Sequence, residues 1–280
     1  MAAAVFWAFL PTLTALAGRW SSDPRYSHGF LVPGFAAVYL WGRRESRPAA
    51  AGKVRAAWCG VALIAVSAAA HLAGVRFFVP WAEAAAVVPA LAGAVLLFGG
   101  GPGLRWAWPA LAFLVFMVPL PYRVEAALGE PLRGVATWCS TVALQTLGLP
   151  AFAEGDVITV NEARIGVVEA CNGLGMLVTF TAMATGLAML ARRPRAETAL
   201  IVLSAGPIAL TANVARITAT GVLYGTAGAG TAEALYHDLA GWLMMPMAVV
   251  LLAAEVRLLG LIFDRGPGAA ADGRSLGSWT

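Results

Sequence analysis

A thiol, a guanidinium and an imidazole stand where three late apolar runs of this chain begin or end. Cys171 lies in Val168-Glu169-Ala170-Cys171-Asn172-Gly173-Leu174-Gly175-Met176, where a polar, strand-like segment becomes a long apolar run. A cysteine in the first turn of a helix meets unpaired N–H groups and the positive end of the dipole, and both favour the nucleophilic thiolate. The bland alternative is a small apolar residue at a helix start. Arg216 sits among Ala212, Val214, Ala215, Ile217 and Ala219. A buried charge at such a place costs about 2.5–3.5 kcal/mol on insertion scales, so it faces a bundle interior or a wet cavity unless it snorkels to the headgroups. Asn213, one turn earlier, points a second polar group the same way. His237 opens the last apolar run, and Gly241 one turn on leaves room for something to approach it. An interfacial histidine is the alternative there.

As a set the three make chemical sense. Cysteine supplies a nucleophile and histidine moves a proton. Arginine cannot act as a base, so its use is to hold a thiolate or an oxyanion. The reaction class is acyl transfer on a peptide carbonyl. Glu169, His28 and Asp238 are rivals for the general base, and the sequence leaves that choice open.

The elements that must position these groups are membrane helices. The chain has 280 residues, 60% hydrophobic and only 12% charged, against about a quarter charged in a soluble domain. Its mean hydropathy is +0.75. Several runs approach the roughly 20 apolar residues that cross a bilayer. The fold expected is an all-α polytopic membrane protein of about eight transmembrane helices. The runs are Ala2–Gly18, Gly29–Gly42, Ala56–Gly74, Trp81–Gly100, Trp106–Leu120, Cys171–Ala191, Thr198–Leu223 and Leu239–Ile262. The first run lacks a basic segment before it, so no cleavable signal peptide is expected.

One integral-membrane domain results, with 1–120 holding spans one to five and 121–170 a segment outside the membrane. Residues 171–262 form the three catalytic spans and 263–280 a disordered cytoplasmic tail. Within 121–170, Pro131–Gly148 sets Leu132, Val135, Cys139 and Val142 on one helical face, which suits a helix lying on the membrane surface or packed on the bundle. Asp156–Val160 and Arg164–Val168 alternate around Asn161-Glu162-Ala163 and read as a small β-hairpin between spans five and six.

Charge sets the orientation. With the amino terminus inside, Arg43, Arg44, Arg47, Lys53, Arg55, Arg105, Arg192, Arg193, Arg195, Arg257, Arg265 and Arg274 all fall on the cytoplasmic side. Such a skew puts both termini in the cytoplasm of a cell inner membrane, with the 121–170 segment facing the periplasm or the outside. Cys171, Arg216 and His237 then lie toward the outer side of three consecutive spans. The net charge of +4 belongs to loops that touch anionic lipid, so nucleic acid is not an expected partner. Three cysteines and three histidines, all far apart, imply no metal site and no disulfide framework, and no cofactor is expected.

The chain resembles the exosortase/archaeosortase family of membrane-embedded cysteine transpeptidases. The likeness is carried by Tyr26-Ser27-His28-Gly29-Phe30-Leu31-Val32-Pro33, Met117-Val118-Pro119-Leu120-Pro121, Glu169-Ala170-Cys171-Asn172-Gly173, Asn213-Val214-Ala215-Arg216-Ile217, and His237 followed by Gly241-Trp242. The resemblance implies that Cys171, Arg216 and His237 are catalytic, with Asn213, Asn172, Glu169 and His28 binding substrate or supporting them. It also implies substrates that are secreted proteins ending in a short motif (often Pro-Glu-Pro), a transmembrane helix and a basic tail. These would be cleaved through a thioacyl intermediate, with a link to exopolysaccharide machinery. Family members commonly carry Cys-Ser-Gly-(Ile/Leu)-Arg at the nucleophile; here Asn172 replaces the serine and Gly175 the arginine, which puts recognition by a neighbouring arginine in question. Two other classes fit the composition. One is a non-catalytic transporter or scaffold of surface-polymer export, the other a membrane acyltransferase with His237 as base.

Overall fold

The computed structural model describes residues 7–49, 54–161, 163–167, 173–191, 194–227, 247 and 249–258. Helix α1 is Leu10–Ser22, followed by a 3-10 segment, Pro24–Phe30, and α2, Leu31–Gly42. Then come α3, Val54–Phe77, the short α4, Pro80–Ala85, and α5, Val87–Phe113. Helix α6 is Tyr122–Thr146. Three strands follow: β1 (Ala151–Glu154), β2 (Val157–Val160) and β3 (Ala163–Gly166). Helices α7, Gly173–Ala191, and α8, Arg195–Ala227, complete the bundle with the helical residues 249–258.

Among the described residues four helical runs are long and apolar enough to cross a membrane: Val54–Phe77, Pro80–Met117, Leu174–Ala191 and Ala196–Thr226. The second is not one rod. Gly100 has φ +62° and ψ −165°, and a Cβ on Gly103 would lie 3.7 Å from the Val95 carbonyl oxygen. Eight residues along a straight helix separate two groups by about 12 Å, so the chain doubles back at Gly100. Only glycine adopts that backbone conformation without strain. The break expected between spans four and five therefore sits at Gly100, and the described residues carry four such runs against the eight crossings expected. Helices α1 and α2, 13 and 12 residues long, cover the first two expected runs only in part. The last run is described only at 247 and 249–258.

Small residues hold the helices together, as expected where lipid gives no hydrophobic drive for helices to associate. Gly60 and Gly93 let α3 and α5 touch backbone to backbone, since a Cβ on Gly60 would stand 2.8 Å from the Gly93 carbonyl oxygen. Ser67 donates to the Ala86 carbonyl at 2.6 Å in the same interface. Between α7 and α8 the buried set is Phe180, Ala184, Ala188, Ile201, Ala205, Ala209 and Ala212, with Leu252 against them.

Of the two placements expected for the helix after span five, α6 takes packing on the bundle. It is one 25-residue helix beginning at Tyr122, and it packs on the bundle through Ala136, Thr137, Ser140, Thr141 and Leu144. Of the expected apolar face, Val135 and Val142 are exposed, while Leu132 and Cys139 are partly buried. Small and hydroxylated side chains on the packed face let α6 approach α8 and the sheet closely. The sheet also exceeds expectation. The hairpin β2–β3 forms as anticipated, with Val157 opposite Gly166, and β1 adds a third antiparallel strand in the order β1-β2-β3. Its buried face, Ala151, Ile158, Val160, Ile165 and Val167, packs on Ala136 and Leu144 of α6 and Ile217 of α8.

Candidate functional site

The segment 168–172 that carries Cys171 is flanked by β3 and α7. On one side β3 runs into Val167, which is fully buried in the cluster that holds Ile217, the neighbour of Arg216 in sequence. On the other side α7 starts at Gly173. Cys171, Asn172, Glu169 and His237 themselves lie outside the described residues, as does Asp238.

Arg216 is described, and its depth can be counted. Helices α7 and α8 pack together and are joined by only residues 192–194 between Ala191 and Arg195, which makes them antiparallel neighbours. At 1.5 Å per residue Arg216 stands about 32 Å along α8, and Gly173 about 27 Å back along α7. Arg216 is therefore level, to within a turn, with the point where α7 begins. Helix α6 reaches the same level, where Ser140 Oγ donates to the Val214 carbonyl at 3.5 Å.

The structure brings Asn213 and Arg216 together. An Arg216 terminal nitrogen donates to Asn213 Oδ1 at 3.3 Å, and Asn213 is only 1% exposed. Its amide nitrogen has no partner among the described residues. The expected common direction of these two polar groups is thus present, held on one face of α8.

The structure gives His28 a different place. His28 is 4% exposed, in the 3-10 segment between α1 and α2. Its Nε2 lies 3.1 Å from the Phe116 carbonyl and its Nδ1 3.0 Å from Thr179 Oγ1 of α7. A carbonyl only accepts, so Nε2 carries the proton and Nδ1 accepts from the Thr179 hydroxyl. Burial pushes this imidazole below its ordinary value, and the bond to the Phe116 carbonyl opposes that only in part. Both ring nitrogens are committed, and no described contact joins His28 to Arg216 or Asn213. His28 thus ties the 3-10 segment to α7 and to the turn after α5. Beside it an apolar cavity of about 320 Å³ opens between α2, α7 and residues 249–258, walled by Phe35, Phe113, Met183 and Leu252.

Sequence reasoning missed an ion cluster at the start of α7. Asp23 caps the 3-10 segment by accepting from the Arg25 amide at 3.1 Å, and the Arg25 guanidinium clamps Asp23 and also pairs with Glu125 of α6. Burial pushes the Asp23 carboxyl up, but the hydrogen bonds from Arg25 outweigh it and hold the group below the usual carboxylate range. Tyr26 donates to Glu125 at 3.4 Å, and burial together with the Glu125 charge pushes its phenol up. The signal in the sequence was Asp23-Pro24-Arg25, an aspartate before proline that favours a turn. No pattern in it pointed to Glu125, 100 residues away.

Gly175 belongs to this cluster. A Cβ there would lie 3.0 Å from Arg25 Cβ and 3.1 Å from Arg25 Cα. A side chain at 175 would therefore crowd the 3-10 segment unless that segment gave way by a few tenths of an ångström.

A family model described as transmembrane exosortase matches residues 20–254. The chain belongs to the transmembrane exosortase family. The matched region takes in every element from the end of α1 to the helical residues 249–258, so the family assignment covers the whole bundle and not one motif. No curated protein and no solved structure matches the chain. Among the described residues no group of histidine, cysteine and carboxylate side chains is arranged to hold a metal ion. Cys59 and Cys139 are free thiols.

Proposed function

We propose that this exosortase family member is a cysteine protease or transpeptidase that cleaves the carboxyl-terminal sorting signals of secreted proteins. The observation that carries the reading is the depth of Arg216. It stands level with the start of α7, two residues past Cys171, with Asn213 bonded to it. A guanidinium fixed at that height suits a thiolate or an oxyanion formed at Cys171.

In the reaction, the Cys171 thiolate attacks the scissile carbonyl carbon. An S–C bond forms, and the carbonyl oxygen takes negative charge opposite Arg216. Collapse breaks the C–N bond as His237 gives its proton to the leaving amine. The acyl group remains as a thioester on Cys171. An acceptor amine, or water, then attacks that carbonyl carbon, passes its proton to His237, and the C–S bond breaks to regenerate the thiolate. Glu169 and Asn172 flank the nucleophile in sequence and complete the supporting set with Asn213 and His28.

In this reading the protein lies in the inner membrane with both termini cytoplasmic and the sheet on the outer side. The substrate's apolar helix lies alongside α7 and α8. The apolar cavity beside Phe35 and Met183 supports it by offering lodging for side chains of such a helix or for a lipid chain. The test is Cys171→Ala, produced at wild-type level, against a secreted reporter ending in Pro-Glu-Pro, an apolar helix and an arginine cluster. The variant leaves the reporter uncleaved; normal cleavage removes the proposal.

A further inference from the structure

Among the described residues no strand pairs with the outer edge of β1, and a cavity lies directly beneath that edge. In the antiparallel ladder Ala151 faces Val160 and Ala153 faces Ile158. Asn161 donates to the Pro150 carbonyl at 3.5 Å, so that pair bonds across the ladder. Bonded and non-bonded pairs alternate, which turns the N–H and C=O of Ala151 and Ala153 away from β2. The Ala151 carbonyl accepts from Gln145 Nε2 of α6 at 2.9 Å, as that direction requires. The backbone groups of Ala153 have no such partner among the described residues. Natural sheets blunt exposed edges with proline, lysine, a bulge or a covering loop. Here the edge reads Ala-Phe-Ala-Glu, and Phe152 is 64% exposed.

The cavity under this edge has a volume of about 320 Å³ and is lined by Gly134, Thr137, Trp138, Thr141, Gln145 and Ala153. Thr137, Thr141 and Gln145 are one turn apart along α6, so their polar groups form a strip parallel to β1. Thr137 is 3% exposed, yet its hydroxyl has no partner among the described residues. A residue paired across from Ala153 would share its face of the sheet and send its side chain into this cavity.

We infer that β1 is the docking edge for the extended segment of the substrate that precedes its scissile bond. One substrate residue exchanges two backbone hydrogen bonds with Ala153 and lodges a polar side chain against Thr137 and Thr141. Peptide recognition by strand addition works in this manner, with the backbone giving affinity and pockets for alternate side chains giving selectivity. The occupant is named from continuity. The same sheet runs through β3 to Gly166, five residues before Cys171, a span the chain covers in at most about 17 Å. The inference rests on the proposed transpeptidase reading.

Two variants and one capture test it. Ala153→Pro removes the outward N–H, and proline is tolerated at such an edge position. Gly134→Leu fills the cavity from a helical position where a Cβ meets nothing within 4 Å. Each raises the tripartite-reporter level needed for half-maximal cleavage by about tenfold, the loss expected from one or two hydrogen bonds, and leaves kcat within about twofold. A photo-crosslinking residue at 153 captures the reporter, and does so in the Cys171→Ala background as well. That arm is independent of catalysis, so failure of the nucleophile assignment and failure of the docking edge are read separately. Unchanged half-maximal levels, or no reporter captured at 153, overturn the inference. Capture of a second copy of the enzyme in place of the reporter overturns it too, and gives the edge to self-association.

Discussion

Replacing His28 by glutamine separates two roles for that imidazole. In the structure both nitrogens are engaged, Nε2 with the Phe116 carbonyl at 3.1 Å and Nδ1 with Thr179 Oγ1 at 3.0 Å. A glutamine amide can donate to the same carbonyl and accept from the same hydroxyl, so the tie between the 3-10 segment and α7 survives. Reporter cleavage by His28→Gln should stay within about tenfold of wild type, whereas removal of a general base costs about 10²–10⁴-fold. Thr179→Val supplies the energetic half of the argument. It keeps the shape of the side chain and leaves Nδ1 buried without a donor, a loss of about 1–3 kcal/mol in stability. Thermal unfolding of the purified protein in detergent reads that loss. In the His28→Leu background the same threonine change should cost much less, because the acceptor is already gone. A hundredfold fall in cleavage for His28→Gln, with an unchanged unfolding midpoint, would refute the positioning role and restore His28 as a candidate base.

The remaining predictions concern the start of α7. Arg216→Lys should abolish cleavage while the protein still inserts, because an ammonium cannot reproduce the planar fork of donors that reaches Asn213; cleavage by the lysine variant at the wild-type rate contradicts this. Gly175→Ala should lower stability by about 1–3 kcal/mol through overpacking on Arg25, read as a fall in unfolding midpoint, whereas Gly134→Ala, with open space at its Cβ, should not. The Asp23–Arg25 bond stabilises the fold at pH values above the ordinary carboxylate range. That contribution is lost as pH falls through the lowered Asp23 value, so Asp23→Asn should flatten the acid limb of a stability-against-pH curve.

The parts of this architecture legible in the sequence are those set by length and alternation. Apolar runs located α3, α7 and α8 to within a few residues, and alternating Val157-Ile158-Thr159-Val160 announced the hairpin. Strand β1 escaped because Ala-Phe-Ala-Glu carries no β-branched residue and takes its place by tertiary pairing. The face of α6 was misread because its packing residues are the small and hydroxylated ones, which a hydrophobic-face rule assigns to solvent. At the site, Asn213 and Arg216 were legible because a polar pair one turn apart stands out in an apolar helix. The Asp23–Arg25–Glu125 cluster and the Thr179 partner of His28 were not, since each joins residues about a hundred or more positions apart.

The most direct measurement is the mass of the enzyme itself during turnover. Wild-type protein mixed with excess tripartite reporter and quenched in acid should carry the reporter's upstream fragment on Cys171 as a thioester that hydroxylamine releases, and Arg216→Lys should accumulate none. An adduct-free enzyme that still cleaves the reporter, or an adduct on Cys59 or Cys139 in its place, would contradict the account.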